Sequence, residues 1–516
     1  MKKLIASFLT FSLLAVSCNF FTQTATPPPS PLPAPSFSPT PSSPPTTAFP
    51  PTNESDFLDT PWDDFSIFKD GLIPSAQPVL EKLPHATVYH IELNIAGDLY
   101  HVTGAQDVRY TNNENIELGE IHLRLFPNIL GGEMKISNLR VDDTPVKPRY
   151  GLQNSLLIVP LAQALKPGES AVIHMDFSVV VPQSVELNYG VLAYEDNVLA
   201  LAHVYPMVAV YNEEGWNEEI PPQSGDVTFS DASFYLVRVT APRNVTVVAS
   251  GRVVNAEVGE QVQILNVASG PARDFYLAAS PDYEETSERF GNVTIRSYAP
   301  DWLKDGSHEA VNVASRAIEI FSSRYAPYPY TELDIVTTPT LALGIEYPGA
   351  IAITSWIYED GGANPYFEGT VAHEVGHQWF YNLVGDDQLD EPWLDESLTQ
   401  FVTLQYFSDE YGEEGEAEFR SSLEGRWAYI GNENIPIDLP VAEYTDYEYS
   451  AIVYGRGPLF FVELRREMGD AAFDAFLKEY TQTLSWDIAT SETLQSLAEK
   501  NCSCELDEIF NEWVYP

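Results

Sequence analysis

His373-Glu374-Val375-Gly376-His377 sets two imidazoles four residues apart with a carboxylate between them. On an α-helix, residues i and i+4 share a face, so both rings can reach one ion. Phe367, Val371, Val375, Trp379 and Phe380 give such a helix its apolar cover, and Gly385 can end it. A hydrolytic zinc site needs a third protein ligand and one position open to water. Glu396 follows His377 with eighteen residues between, in Trp393-Leu394-Asp395-Glu396-Ser397-Leu398, which reads as the next helix. The spacing predicts one zinc ion per chain, on His373, His377 and Glu396. Glu374, between the ligands but not one of them, can take a proton from water and pass it to a leaving amine.

The elements that must position these groups divide the chain in two. From about His85 to Tyr283, period-two alternation predicts strand after strand, as in Val88–Ile95 and Glu120–Leu125, with turn signals at Asn112-Asn113, Gly131-Gly132 and Pro167-Gly168. Beyond about Ile295 the texture changes. Helical spacing over Ser307–Tyr325 precedes two strands, Leu333–Thr337 and Ala350–Ser355, and helices follow from Asn364 onward. The expected architecture is an all-β domain over 79–295 followed by an α+β catalytic domain over 296–516.

Composition agrees with large cores: 44% of the 516 residues are hydrophobic and 12% aromatic. Lys and Arg total 27 against 75 Asp and Glu, a formal charge of −48, which excludes nucleic acid as a partner. Three cysteines (Cys18, Cys502, Cys504) exclude a disulfide scaffold and a cysteine-built zinc site. Cys502 and Cys504 read as a surface pair without function, with a local disulfide as the alternative. The Glu413–Glu418 run reads as a solvated helix start.

The order and spacing of these motifs resemble the M1 family of zinc metallopeptidases, the aminopeptidase N and leukotriene A4 hydrolase group. The stretches His377-Gln378-Trp379-Phe380-Tyr381-Asn382 and Trp393-Leu394-Asp395-Glu396 are similar to family segments. Gly344-Ile345-Glu346-Tyr347-Pro348-Gly349 resembles the family's exopeptidase motif, and Tyr454-Gly455-Arg456-Gly457 its catalytic-tyrosine segment. The resemblance implies a thermolysin-like catalytic domain. It implies that Gly344 and Glu346 bind substrate, with Glu346 on the free α-amine, and that Tyr454 donates to the oxyanion of the tetrahedral intermediate. Tyr449 is a second tyrosine candidate and His203 a remote candidate for the cleft. No equivalent of the family's Asp-Glu-Pro segment is found near Tyr205–Asn217, so Glu346 is expected to hold the amine alone. The chain reads as a short form without the family's helical C-terminal domain, with an open cleft. Release of N-terminal residues from peptides is the leading expectation. Internal cleavage, or a non-catalytic surface-binding lipoprotein, are the alternatives.

The N-terminus carries its own signals. Lys2 and Lys3 precede an apolar run over 4–16, and Leu14-Ala15-Val16-Ser17-Cys18 resembles the lipobox of bacterial lipoproteins. A signal peptide over 1–17 and a lipidated Cys18 are expected, and then a Pro/Ser/Thr-rich tether to residue 78. The expected location is the bacterial cell envelope outside the cytoplasm, on a membrane through the lipid anchor. The expected partners are peptide substrates, with no obligate protein partner evident.

Overall fold

Alternating β-branched and aromatic residues from Val88 onward leave one apolar face per strand, and stacked sheets bury those faces. The computed structural model describes residues 57–222 and 225–516. The expected signal peptide, Cys18 and most of the tether lie outside these residues. An eight-stranded sheet has Val88–Ile95 near its centre, parallel to Ser233–Pro242 and antiparallel to His101–Thr111. Two four-stranded sheets, one containing Leu118–Arg124 and Leu156–Leu165, the other Val198–Leu201 and Leu277–Ser280, and a two-stranded pair of Tyr211–Asn212 with Gly215–Trp216 complete the β region. Their inner faces share one core, with Ile91, Leu123, Val159, Ile173, Leu201 and Val237 fully buried.

A second core begins with a five-stranded sheet ordered Glu284–Phe290, Val293–Ala299, Glu332–Thr338, Ala350–Thr354, Gly344–Ile345. The boundary expected at 295/296 falls inside Val293–Ala299, which pairs in parallel with Glu332–Thr338. The sheet of the catalytic region therefore starts at Glu284. Helix α1 (Lys304–Arg324) is the crossover between those two strands. Helices α2 (Phe367–Gly376), α3 (Leu398–Ala428), α4 (Asp446–Ala451) and α5 (Gly457–Met468) follow. Thr490 caps a later helix, Ser491–Cys502, through a capping box with Thr493. Gly412, at φ 68°, breaks α3 just before the Glu413–Glu418 run.

One expectation is corrected. Residues 57–78 are no tether: they form short 3-10 turns whose Phe65 and Phe68 rings pack on Phe234 at 4.7 and 4.9 Å. Trp62 stacks on His90 at 4.0 Å, and Leu72 bridges to Tyr330. Eight large apolar side chains in that stretch (Phe57, Leu58, Trp62, Phe65, Ile67, Phe68, Leu72 and Ile73) supply the burial that the Pro/Ser/Thr composition upstream lacks. Cys502 and Cys504 are joined in a disulfide, the alternative reading of that pair.

Buried Arg273 ties the two cores together. It donates to the carbonyls of Ser230, Asn382 and Asp487 at 3.2, 3.1 and 2.7 Å.

Candidate active site

Helix α2 lies against α1 and α3, with Phe367, Val371 and Val375 buried as the apolar spacing requires. It ends at Gly376 rather than continuing toward Gly385. His377 keeps a helical backbone and its N–H donates to His373 O at 3.2 Å. Gly376 also lets α3 approach, since a Cβ there would stand 2.9 Å from Thr399 Cγ2. Glu396 is not within a regular helix but in a π-helical turn, Trp393–Ser397, that opens into α3. Tyr454 occupies a second π-helical turn, Ile452–Arg456, that opens into α5. Such turns shift one side chain out of the 3.6-residue register and favour functional sites. Ser397 Oγ donates to Val453 O at 2.6 Å and locks one turn to the other.

The three expected ligands converge. His373 Nε2 stands 3.0 Å from His377 Nε2 and 3.1 Å from Glu396 Oε2, and His377 Nε2 stands 3.5 Å from that oxygen. Ligand atoms of a tetrahedral zinc site are about 3.3 Å apart, so this donor set fits zinc in both chemistry and spacing. Asp395 pairs with His377 Nδ1, which also lies 3.1 Å from Phe380 O. A proton held on Nδ1 leaves the Nε2 lone pair for a metal.

Burial and neighbouring charge set the protonation states. Burial and the nearby His377 bring His373 down to about 4, keeping it neutral. Burial opposes ionisation of Glu396, but His377 and the hydrogen bond from His373 outweigh it and hold the carboxyl below the usual range. Burial pushes Glu374 well up, with His377 opposing and Glu346, Glu396 and Asp395 adding. A centre so rich in carboxylates calls for a cation.

The exopeptidase-like motif forms the edge of the five-stranded sheet. Gly344 lies so close over Glu374 that a Cβ would be driven into its carboxylate. Gln378 pins the next turn, accepting from Gly349 N at 2.9 Å and donating to the carbonyls of Glu346 and Tyr347 at 3.2 Å. Burial, opposed by His377 and reinforced by Asp395 and Glu396, pushes Glu346 up to about 7. Glu346 does not stand alone, contrary to expectation. Gln388 donates to its Oε1 at 3.1 Å and to Asp395 Oδ2 at 2.6 Å, and Asp226 lies within electrostatic range of it.

Tyr454 O–H donates to Glu396 Oε1, and the Tyr449 ring packs 5.7 Å from it, so both tyrosine candidates reach the site. His203 does not: it is buried with Nδ1 2.9 Å from Asp274, and touches the site only through the Tyr347 ring at 6.5 Å. Asp226, Gln388 and Arg426 went unseen in the sequence. Asp226 is one acid among 75 and none of the three belongs to a periodic motif, so no local signal marks them.

Fold and site together define a two-core chain with a buried His-His-Glu metal set beneath a sheet edge. Residues 309–513 match the model of the peptidase family M1 domain. Aminopeptidase M1 of Arabidopsis thaliana is 24% identical over 54% of this chain and 34% of its own length. Probable aminopeptidase 2 of Sulfurisphaera tokodaii is 25% identical over 45% of this chain and 31% of its own length. The chain thus spans about a third of the curated relatives it matches. An M1 zinc metallopeptidase from Deinococcus radiodurans shares the fold, with a TM-score of 0.63 at 19% identity over 83% of this chain and 92% of that one. A mutant of that protein, solved with a Tyr-Ser-Ala substrate, gives 0.65 at 20% identity over 84% and 94%.

Proposed function

We propose that this chain is a zinc aminopeptidase that removes N-terminal residues from peptides. The observation that carries the reading is the convergence of His373, His377 and Glu396 within 3.5 Å of one another, with Glu374 on the same helix and Glu346 on the facing edge. A zinc ion on those three side chains would supply Lewis acidity for a water molecule and for the scissile carbonyl. The chain's own residues do the rest. Glu346, supported by Gln388 and with Asp226 nearby, binds the substrate ammonium and so sets the cut one residue from the N-terminus. The sheet edge at Gly344–Ile345 offers its backbone to an extended peptide. Glu374 accepts the proton of the attacking water and delivers it to the leaving amine. Tyr454 O–H turns from Glu396 to the oxyanion as charge develops there.

Mass-spectrometric assay of free and N-acetylated tripeptides, with and without a chelator, tests the reading. The free peptides should lose single N-terminal residues in a chelator-sensitive way and the acetylated ones should survive. Equal cleavage of both, or activity indifferent to the chelator, would defeat it.

We further infer that the enzyme acts outside the cytoplasm on a lipid anchor. Support comes from Lys2, Lys3, the apolar run over 4–16, Cys18 and the uncharged Pro/Ser/Thr stretch after it. Metabolic labelling with a fatty-acid analogue should mark the wild type and not Cys18→Ser; equal labelling would count against the anchor.

A further inference from the structure

The break at Gly412 lets the second half of α3 return to the site, where Arg426 stands over Tyr454 with its Cζ 5.7 Å from the ring centroid. Its charge reaches Glu396 and Tyr366 as well. Arg296, Arg316, Arg324 and Arg465 each pair with carboxylates, as expected in a chain with 75 acids and 27 bases. The Arg426 side chain forms no ion pair or hydrogen bond with any described residue, and its guanidinium stands beside the Tyr454 ring at the site.

Strand direction says which end of a substrate lies there. Gly344 pairs with Ile353 and Ile345 with Ala352, antiparallel, and Thr354 N–H donates to Leu343 O. Moving away from Glu346 along this edge therefore passes Gly344, over Glu374, and leads to the chain just beyond Thr354, at Trp356. Trp356 and Tyr366 are 47% and 44% exposed, with ring centroids 6.3 Å apart, and Tyr366 lies within electrostatic range of Arg426. Along this edge the order is Glu346, then Gly344 over Glu374, then the Trp356–Tyr366 aromatic pair.

We propose that Arg426 binds the C-terminal carboxylate of short peptides, with Trp356 and Tyr366 flanking the residues after the cut, so that di- and tripeptides are the preferred substrates. The inference rests on the aminopeptidase reading. A guanidinium presents paired donors that match a carboxylate, and an arginine with no internal partner keeps them available. A side-chain carboxylate after the cut offers the same chemistry, and the test separates the two sources. A role confined to steadying the Tyr454 ring by cation–π contact would affect every substrate alike.

Initial rates are measured with the zinc-loaded full chain on trialanine, trialanine amide and alanyl-aspartyl-alanine amide. Wild type should favour the free acid over its amide by about tenfold or more in kcat/KM, chiefly through KM. Arg426→Gln should bring that ratio to about one by losing activity on the acid, and Arg426→Lys should restore part of it. Equal wild-type rates on acid and amide would overturn the proposal without any variant having to fold. So would an Arg426→Gln enzyme whose acid-to-amide ratio is that of wild type. An aspartyl amide cleaved as well as trialanine would move the carboxylate to the side chain and overturn the terminal assignment. Failure of wild type on all three would remove the aminopeptidase reading and this inference with it.

Discussion

Glu374 is flanked in sequence by both histidine ligands yet contributes no atom to the metal set, and its carboxylate lies under Gly344, where a peptide would run. A carboxylate so placed is free to move protons. Glu374→Gln should therefore keep zinc, measured by atomic emission, while turnover falls about 10³-fold. Retained activity would reassign the base. The neighbours of Glu374 were readable to different depths. His373, His377 and Glu396 follow from i, i+4 geometry and the need for a third ligand, because that information is local. Glu346 and Tyr454 were reached only through resemblance to a family, since one glutamate and one tyrosine carry no spacing signal. Asp226, Gln388 and Arg426 become site residues solely through folding.

At the scale of elements, the narrow fit between the edge strand and α2 does most to define the cleft. Gly344 has an ordinary φ, so alanine there carries no backbone strain; it carries a Cβ aimed at the Glu374 carboxylate. Gly344→Ala should fold and bind zinc normally, yet lose about 10²-fold in kcat/KM, the scale of effect an ångström-sized displacement of a catalytic group produces. Near-normal turnover would show that the base lies elsewhere in the working enzyme. Element types were well marked in the sequence: α1 and the strand Glu332–Thr338 lie close to where apolar spacing puts them. The π-helical turns carrying Glu396 and Tyr454 were not marked. Their residues fit a helical pattern as well as any, and the extra residue per turn is imposed by the packing of Ser397 against Val453 and Gly457.

Across the whole molecule, residues 57–83 clasp both cores, stacking on the eight-stranded sheet and bridging to Tyr330 beside the catalytic sheet. His90, under Trp62, reports on that clasp. Burial lowers its pKa from the ordinary 6.5 to about 4. The folded protein thus binds this proton less readily than the unfolded chain. The contribution is complete above pH 6.5 and fades as pH falls toward 4. Between pH 7 and pH 5, wild type should lose about 1–2 kcal/mol more stability than His90→Phe in denaturant titrations. Parallel losses would mean that the clasp does not bury His90 in solution.

The same scale separates what the chain's text determined from what only its folding decided. Two helical faces, an alternating β pattern and four residues at metal spacing determined the metal set, the general base and the order of the two regions, because each depends on neighbours within a few turns or strands. Long-range contacts decided the rest. They brought Asp226 from a loop, Gln388 from the turn before Glu396 and Arg426 from the far half of α3 to a single cleft. They also moved the start of the catalytic sheet to Glu284 and folded residues 57–78 onto the body. Charge and burial at one point in space are sums over residues remote in sequence, and no window along the chain contains them.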